Sequence, residues 1–489
     1  MFMSHTLPVA DNSYLQLPPL MYQVLTPTPV KHANWLAFNQ DLATLLQIPA
    51  PWQQTAQGLA LYAGNQLAPW CQPMALAYSG HQFGQLNPRL GDGRALLLAE
   101  VTGLDGLRYD IQLKGSGPTP FSRRGDGRAA LGPVLREYLI SEWMHAVGVP
   151  TSRALAAVST GELVFRDTAL PGAVLTRVAR SHLRIGTMQY ASMAGTPDDV
   201  KTLISYTLAR HYPQALAEEN LALALLRCVA KAQAQLVAKW MQLGFIHGVM
   251  NTDNMSLSGE TIDYGPCAFM DNYAPATKFS SIDTSGRYAY RNQPPIAQWN
   301  LARLAEAMLA HIHADETQAI ALATDVLNQF VTDYQQAFYQ GFAEKLGLRA
   351  TDAAPPNADH DVAQRLFIDE TLQLMAELQL DFTAFFRRLA EARDGQPDVL
   401  LQLSCQHEPL AAWLARWQVL CQVDAQALRA KNPAFIPRNQ TVEAILASAL
   451  AGDLAPFQQF IAAAKTPFVD APDYMAIPEA APYCTFCGT

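Results

Sequence analysis

Three oxygen-bearing side chains stand close together in the stretch HGVMNTDNMSLSGETIDYG, which runs from His247 to Gly265: Asp253, Asn254 and Asp263. Carboxylate and amide oxygens are hard donors that suit magnesium, which keeps several waters and takes one or two protein ligands beside substrate phosphates. Asn254 with Asp263 would serve such a metal–nucleotide complex, and Asp253 would remain to take or steer a proton. Asp and Asn are also turn formers, so the triplet alone reads as loop structure too. The cations elsewhere in the chain bear on the choice.

Lys114 closes RYDIQLKG, where Tyr109, Ile111 and Leu113 alternate with polar residues in the two-residue period of a strand. Glu137 lies in GPVLREYLISEWMHAVGVP, which opens on Gly-Pro, spaces Val134, Leu135, Tyr138, Leu139 and Trp143 helically, and stops at Gly148 and Pro150. Arg177, Arg180 and Arg184 follow in LTRVARSHLRIGT. Arginine forks bind phosphate oxygens in bidentate fashion, although an exposed Arg is more often only solvated. Gly-Asp-Gly-Arg occurs twice, at Gly91–Arg94 and Gly125–Arg128, and Asp-Gly is also a common turn pair.

The order Gly-rich turn, strand Lys, helix Glu, helix into a His loop, Asn and Asp-Tyr-Gly is that of a protein kinase active site. One piece departs from it. The kinase catalytic Asp falls two residues after the His, where this chain has Val249. Asn254 keeps the kinase spacing, seven residues after His247, and Asp253 stands beside it. His247 reads as a residue that pins the loop, Tyr264 as a packing residue, and His81 in YSGHQFG as structural.

These positions need elements to hold them. Residues 75–195 read as a strand-rich lobe with RALLLAEV as a further strand and one strong helix. Residues 196–350 read as a helical lobe, and LALALLRCVAKAQAQLVAKWMQLGF is a long buried helix delivering the chain to His247. Residues 351–489 read as a helical extension, broken by TDAAPPNADH (351–360) and KNPAFIPRN (431–439), and residues 1–74 as a segment packing on the lobes.

The chain has 489 residues, half of them apolar, enough for a sizeable core and for roughly two or three domains. Its 34 basic and 43 acidic residues give a net charge of -9, with the cations scattered. This argues against nucleic acid or an anionic membrane as the main partner. The N-terminus lacks a signal-peptide pattern, and the interrupted apolar runs read as too short to span a bilayer, so a cytoplasmic location is expected. Five of the seven cysteines are widely separated. Cys484 and Cys487 form a C-x-x-C pair near the end, read as a redox pair or a tail without a role.

The blocks YSGHQFGQLNPRLGDGRALLLAE, DIQLKGSGPTPFSRRGDGRAAL, LREYLISEWMHAVGVPTSRALAAVSTGE and HGVMNTDNMSLSGETIDYGPCAFMD resemble the selenoprotein O family, also called YdiU. The resemblance implies an α+β, protein-kinase-like bilobal fold with a strand-rich N-lobe, a helical C-lobe and a helical C-terminal extension. It implies protein adenylyltransferase activity, with the nucleotide inverted relative to a kinase so that AMP, or UMP, passes to Ser, Thr or Tyr hydroxyls and pyrophosphate leaves. By the same resemblance Gly91, Gly93, Arg94, Lys114, Asp126, Gly127, Arg177, Arg184 and Asp263 match nucleotide-binding positions, and Glu137 the residue that orients Lys114. Asn254 and Asp263 match the ligands of Mg2+ or Mn2+, and Asp253 matches the proton acceptor. ATP or UTP is the co-substrate, protein substrates and the chain itself are the acceptors, and a monomer is expected. Some members carry selenocysteine near the end, where this chain aligns Cys487; oxidation of Cys487 to Cys484 or Cys267 would then alter access to the site. The rival readings are a γ-phosphate kinase, a nucleotide-binding pseudokinase scaffold, and a thiol-disulfide protein.

Overall fold

Strand formation around Ile111 is realised as the middle of an eight-stranded antiparallel sheet. A computed structural model describes residues 12–348, 358–479 and 483–485. In chain order the strands of its first half are β1 (Tyr22–Val24), β2 (Asn34–Phe38), β3 (Met74–Leu76), β4 (Gly80–Gln82), β5 (Gln85–Asn87), β6 (Ala95–Thr102), β7 (Arg108–Lys114), β8 (Ala129–Ala130), β9 (Arg153–Phe165) and β10 (Ala169–Ala179). The sheet runs β1-β3-β6-β7-β10-β9-β2 with β8 on β10, while β4 and β5 pair only with each other. Residues 1–74 therefore do more than pack against the strand-rich part: β1 and β2 are strands of the same sheet.

The register places the chemistry on one face. Arg177 of β10 lies opposite Gln112 of β7, and Lys114 follows Gln112 by two residues, so all three belong to the same side of the pleat. Ile111 and Leu113 point the other way, into a core with Leu42, Leu61 and Val158 beneath α1 (Gln40–Leu45) and α2 (Ala56–Tyr62). The polar alternates of β7 are not solvated, as a one-sided sheet would leave them: Asp110 and Gln112 are buried. On their face, which α3 (Leu131–Ala146) crosses at β9 and β10, Asp110 is paired with Arg210 and His182, and Gln112 with Asp92 and Arg177.

Helix α3 has Pro133 in its first turn, where a missing N–H is harmless, and ends before Gly148, whose φ of 79° suits the chain reversal. It is buried on almost all sides, Arg136 and Glu137 included. The helical part follows: α4 (Ile185–Ala194), not foreseen from the pattern, then α5 (Pro197–His211), α6 (Leu221–Gln242), the β11 (Phe245–Ile246) and β12 (Ala268–Phe269) pair, α7 (Gln293–Ile312) and α8 (Glu316–Lys345). By length and composition α6 is apolar enough to cross a membrane, despite Arg227, Lys231 and Lys239. Most of it is instead covered by α7 and α8.

The extension comprises α9 (Ala358–Glu377), α10 (Phe382–Arg393), α11 (Pro397–Leu401), α12 (His407–Leu420), α13 (Ala425–Lys431), α14 (Asn439–Leu450) and α15 (Ala455–Ala464). Helices α14 and α15 return to pack on α3, closing the side of α3 that the sheet leaves open. The extension thus braces the helix that carries Glu137.

Lys345, at the end of α8, is 4% exposed and has no carboxylate within ion-pair distance among the described residues. Its Nζ sits 4.4 Å from the Phe386 ring centroid. Burial, with repulsion from Lys431, pushes its pKa down to about 7. The unfolded lysine titrates near 10.4. Between these values the unfolded chain binds more protons, so stability rises with pH, and below about 7 the full penalty is present. Lys345→Met is expected to stabilise by about 3 kcal/mol at pH 6 and by little near pH 10. Urea unfolding at both pH values measures this, and equal midpoints for the variant and wild type at pH 6 would refute it.

Candidate active site

Between the sheet face and the helices lies a cavity of about 320 Å³ whose wall contains Gly91, Gly93, Arg94, Lys114, Asp126, Gly127, Arg177, Arg184, Asp253, Asn254 and Asp263. Glu137 alone of the expected set stands one step behind, bonded to Lys114. The turn before β6 puts Gly91 at φ 71° against the Phe121 ring, where a Cβ would collide. Only a glycine fits between the turn and that ring, which fixes the turn at the edge of the cavity.

Lys114 Nζ donates to Glu137 Oε2 at 2.6 Å and to Asp263 Oδ1 at 2.7 Å, tying the sheet, α3 and the loop after His247 together. Burial alone would raise the Glu137 carboxyl, but Arg177 and Lys114 outweigh it and hold Glu137 below the usual range. The same contest at Asp263 ends further down: burial raises it, while Lys114 and Arg177 pull it well below the ordinary carboxylate range. Asp263 stands in the left-handed region at φ 67°, an uncommon conformation for a non-glycine residue that is found at functional sites. It is deeply enclosed, yet 30% of its side chain remains open to the cavity.

Arg177 and Arg184 are both buried, at 4% exposure, rather than solvated. Arg177 Nε donates to Glu137 Oε1 at 2.7 Å and its Nη1 to Gln112 Oε1 at 3.4 Å. Arg184 lies 4.2 Å over the Tyr78 ring, 4.0 Å from Asp92 Oδ1, and donates to the Asp253 carbonyl at 2.9 Å. Arg180 is not part of the cavity wall; its backbone N–H donates to Glu260 at 2.9 Å.

Asp253 is buried, and its Oδ1 has no hydrogen-bond partner. Burial raises its pKa to about 6 against the opposing pull of Arg184. A buried carboxylate with an unpartnered oxygen, on a residue that lines a cavity, is a group prepared to accept a proton. Beside it Asn254 Nδ2 donates to the Val249 carbonyl at 3.0 Å, which leaves Oδ1 as its donor atom toward a cation. His247 is fully buried, with Nε2 on the Ile262 carbonyl at 3.0 Å and its N–H on Gln293, so it pins the loop and performs no chemistry. Tyr264 packs in the core and bonds Thr151.

Among the described residues no group of three or more His, Cys, Asp or Glu is gathered around a point. The donor set that remains, an Asn oxygen and the ionised Asp263 carboxylate in one cavity wall, fits Mg2+ or Mn2+ completed by phosphate and water.

The wall also contains cations absent from the expected set: Arg123, Arg128 and Arg166. Arg166 grips both Asp126 oxygens at 2.9 and 3.1 Å, and Arg128 donates to the Thr28 and Pro29 carbonyls at 3.0 Å each. Seven cationic side chains face four carboxylates here, in a chain of net charge -9, so the cavity suits a polyanion. Two braces were also unforeseen: buried Asp92 accepts from Gln112 at 3.1 Å, and Gln112 in turn supports Arg177. Asp92 sits inside the first Gly-Asp-Gly-Arg, so that motif carried the hint.

A larger cavity of about 460 Å³ adjoins the first at Arg94, Lys114 and Asp263, but its wall is mostly apolar, with Val134, Leu446 and Leu450. It does not suit phosphates. Cys484 and Thr485 reach its rim, and Thr485 Oγ1 donates to the Pro266 carbonyl at 2.7 Å. Cys484 is exposed, whereas burial pushes the Cys267 thiol up to about 12 and leaves it unreactive. Cys487 lies outside the described residues.

The family model described as protein adenylyltransferase SelO matches residues 10–465. The chain is similar to the protein nucleotidyltransferase YdiU of Methylorubrum extorquens, 50% identical over 500 residues that cover 98% of this chain and 99% of the relative. It is 48% identical over 494 residues to that of Bradyrhizobium diazoefficiens, with the same coverage, and 49% identical over 489 residues to that of a Ruegeria species, covering 98% of each.

Proposed function

The chain belongs to the SelO/YdiU family of nucleotidyltransferases, and on the geometry of its cleft we propose that it transfers AMP from ATP, and UMP from UTP, to Ser, Thr or Tyr hydroxyls of proteins, itself included, with release of pyrophosphate. In this reading the sheet layer and the helical part act as the lobes of a kinase-like fold, and the nucleotide enters triphosphate first. The observation that carries it is the pair of buried arginines behind Lys114. Arg177 and Arg184 are held by Glu137, Asp92 and the Tyr78 ring, so their positions are fixed before any ligand arrives. Preorganised cations stabilise charge that develops on a leaving group. Attack at the α-phosphorus expels the β- and γ-phosphates together as pyrophosphate, so in this reading Lys114 and both arginines hold the whole leaving group, whereas in γ-transfer they would hold the group transferred and only part of the ADP that leaves.

Lys114, Arg177 and Arg184 bind the β- and γ-phosphates, and the turn at Gly91 and Gly93 lies along the chain of phosphates. Asn254 and Asp263 would hold Mg2+ or Mn2+, which neutralises phosphate charge when bound. Asp253 takes the proton of the acceptor hydroxyl. The protein acts as a monomer in the cytoplasm.

ATP labelled at the α-phosphate tests the reading. Label is expected in protein, with self-modification as the first product, while γ-labelled ATP leaves protein unlabelled. Label from the γ-position alone would make the protein a kinase, and label from neither would make it a scaffold.

A further inference from the structure

The wall of the cavity nearest Asp253 is the β4–β5 hairpin. The Gly80 backbone lies so close to the Asp253 carboxylate that a Cβ would strike it. His81 N–H donates to Thr252 Oγ1 at 2.7 Å, and Phe83 N–H donates to Asn251 Oδ1 at 3.2 Å, so the hairpin is fastened to the catalytic loop along its length. Its other side carries a cluster that the phosphate chemistry does not use. The His81 ring meets Trp299 edge-on at 5.3 Å. Arg287 lies 4.8 Å over the Trp299 ring, beside the Phe83–Gly84 turn, and Arg303 lies 4.7 Å over the same ring. Both arginines and the indole are only partly buried.

Among the described residues no carboxylate lies within ion-pair distance of Arg287, and Arg303 has one, Glu306. Burial lowers the His81 pKa, so the positive charge of the cluster belongs to the arginines. A guanidinium held against an indole keeps its fork available and is preorganised to take a carboxylate. In a chain of net charge -9 two arginines with one paired carboxylate, Glu306, make a local excess of positive charge, and the cluster is joined through His81 to the loop of Asp253.

We propose that Arg287 and Arg303, each packed against the Trp299 ring, form a docking site for acidic protein segments, so that the enzyme selects hydroxyls with a carboxylate nearby in sequence. The inference rests on the nucleotidyl-transfer reading above. It assigns the substrate class of that site: the carboxylate seats on the arginine clamp while the hydroxyl turns inward past Gly80 to Asp253.

A Ser peptide in which a single Glu is walked through the four positions on either side, with Gln and Lys counterparts, tests it, with α-labelled ATP as donor and wild-type self-labelling run alongside. At the best position the Glu peptide is expected to show a KM about fivefold below that of the Gln peptide, with similar kcat, and the advantage should fade in high salt. Arg287→Gln should remove the advantage, and Arg287→Glu should transfer it to the Lys peptide. Arg303→Gln provides a second variant should Arg287→Gln not fold. Self-labelling by the wild type with no Glu preference at any position, or a preference that survives both Gln variants, overturns the docking site and leaves the transfer reading standing. Absence of α-label from the chain and from every peptide overturns both.

Discussion

Asp263→Ala is expected to lower transfer of α-label from ATP to protein by about 10³-fold or more, the scale lost when a preorganised electrostatic partner of the reacting phosphates is removed. Asp263 supplies a hard anionic oxygen where the two cavities meet, and it is the one residue there that joins Lys114, Arg177 and the loop of Asn254. Its removal leaves two cations, Lys114 and Arg177, sharing the one carboxylate of Glu137 beside an open cavity. Lys114 and Arg177 retain Glu137 at 2.6 Å each, and Arg184 on the Asp253 carbonyl at 2.9 Å and His81 N–H on Thr252 at 2.7 Å still join the strand-rich part to the catalytic loop, so the variant should fold. Nucleotide binding in the absence of metal should persist, because the variant loses a negative charge and keeps every cation. A folded variant with nucleotide affinity intact and transfer abolished is thus the expected result, read by circular dichroism, fluorescence titration and labelling. Transfer above a tenth of wild type would remove Asp263 from the metal site. Because Asp263 lies well below the usual carboxylate range, its contribution to stability is present above pH 4 and is lost only as pH falls through its depressed pKa. An acid limb in the activity near neutral pH therefore belongs to another group.

The parts of this site that were legible in the sequence are those where residue type and local period coincide. Lys114 ends a strand with a clear two-residue alternation and Glu137 sits in a well-bounded helix, so their meeting needed only the ordinary packing of a helix on a sheet. The departure at Val249 was legible too: its carbonyl accepts from Asn254, so the position serves the loop through its backbone and its side chain is free to be apolar. What the pattern concealed depends on long-range contacts. Gln112 looks like a solvent-facing alternate of β7, and it is buried between two distant residues, Asp92 and Arg177. Arg166 is some forty residues from Asp126, which it grips, and only the β9–β10 hairpin brings them together. Arg177 and Arg184 share a short stretch with Arg180, and nothing local separates the two that enter the cavity from the one that does not. The strands β1 and β2 were hidden for a similar reason: each is short, half-exposed and paired with a distant partner.

Those hidden contacts also explain why the charges in the cleft persist there. Two cations and two carboxylates, Lys114, Arg177, Glu137 and Asp263, balance one another before a ligand binds. Breaking a buried pair leaves a charge unpaired and is strongly destabilising, whereas adding a polyanion with its metal keeps the balance. Arg184 stands outside this quartet: among the described residues its one carboxylate within ion-pair distance is Asp92 at 4.0 Å, and its other partners are the Tyr78 ring and the Asp253 and His182 carbonyls. It consequently has more to gain from a phosphate than Arg177, which Glu137 already holds at 2.6 Å.

Asp253→Asn addresses whether the carboxylate moves a proton or only orients the hydroxyl. Asp253 Oδ1 is buried without a partner, and burial raises its pKa to about 6, close to neutrality. A base must be deprotonated to act, so the wild-type rate should fall as pH drops through about 6 and level off above 7. A general base contributes roughly 10² to 10⁴ in rate. Asn has the shape and can accept the same hydrogen bond, but it cannot hold the proton. If Asp253 is the base, the variant loses at least about 10²-fold in kcat with little change in KM for ATP, and the acid limb vanishes. If Asp253 only orients the hydroxyl, Asn reproduces most of its action: the loss stays within about tenfold, and whatever acid limb the wild type shows is retained. Burial argues for the first outcome. A carboxylate kept for orientation alone would be better served by a partner on each oxygen, and this one has been left with an oxygen that only a proton or an acceptor hydroxyl can satisfy.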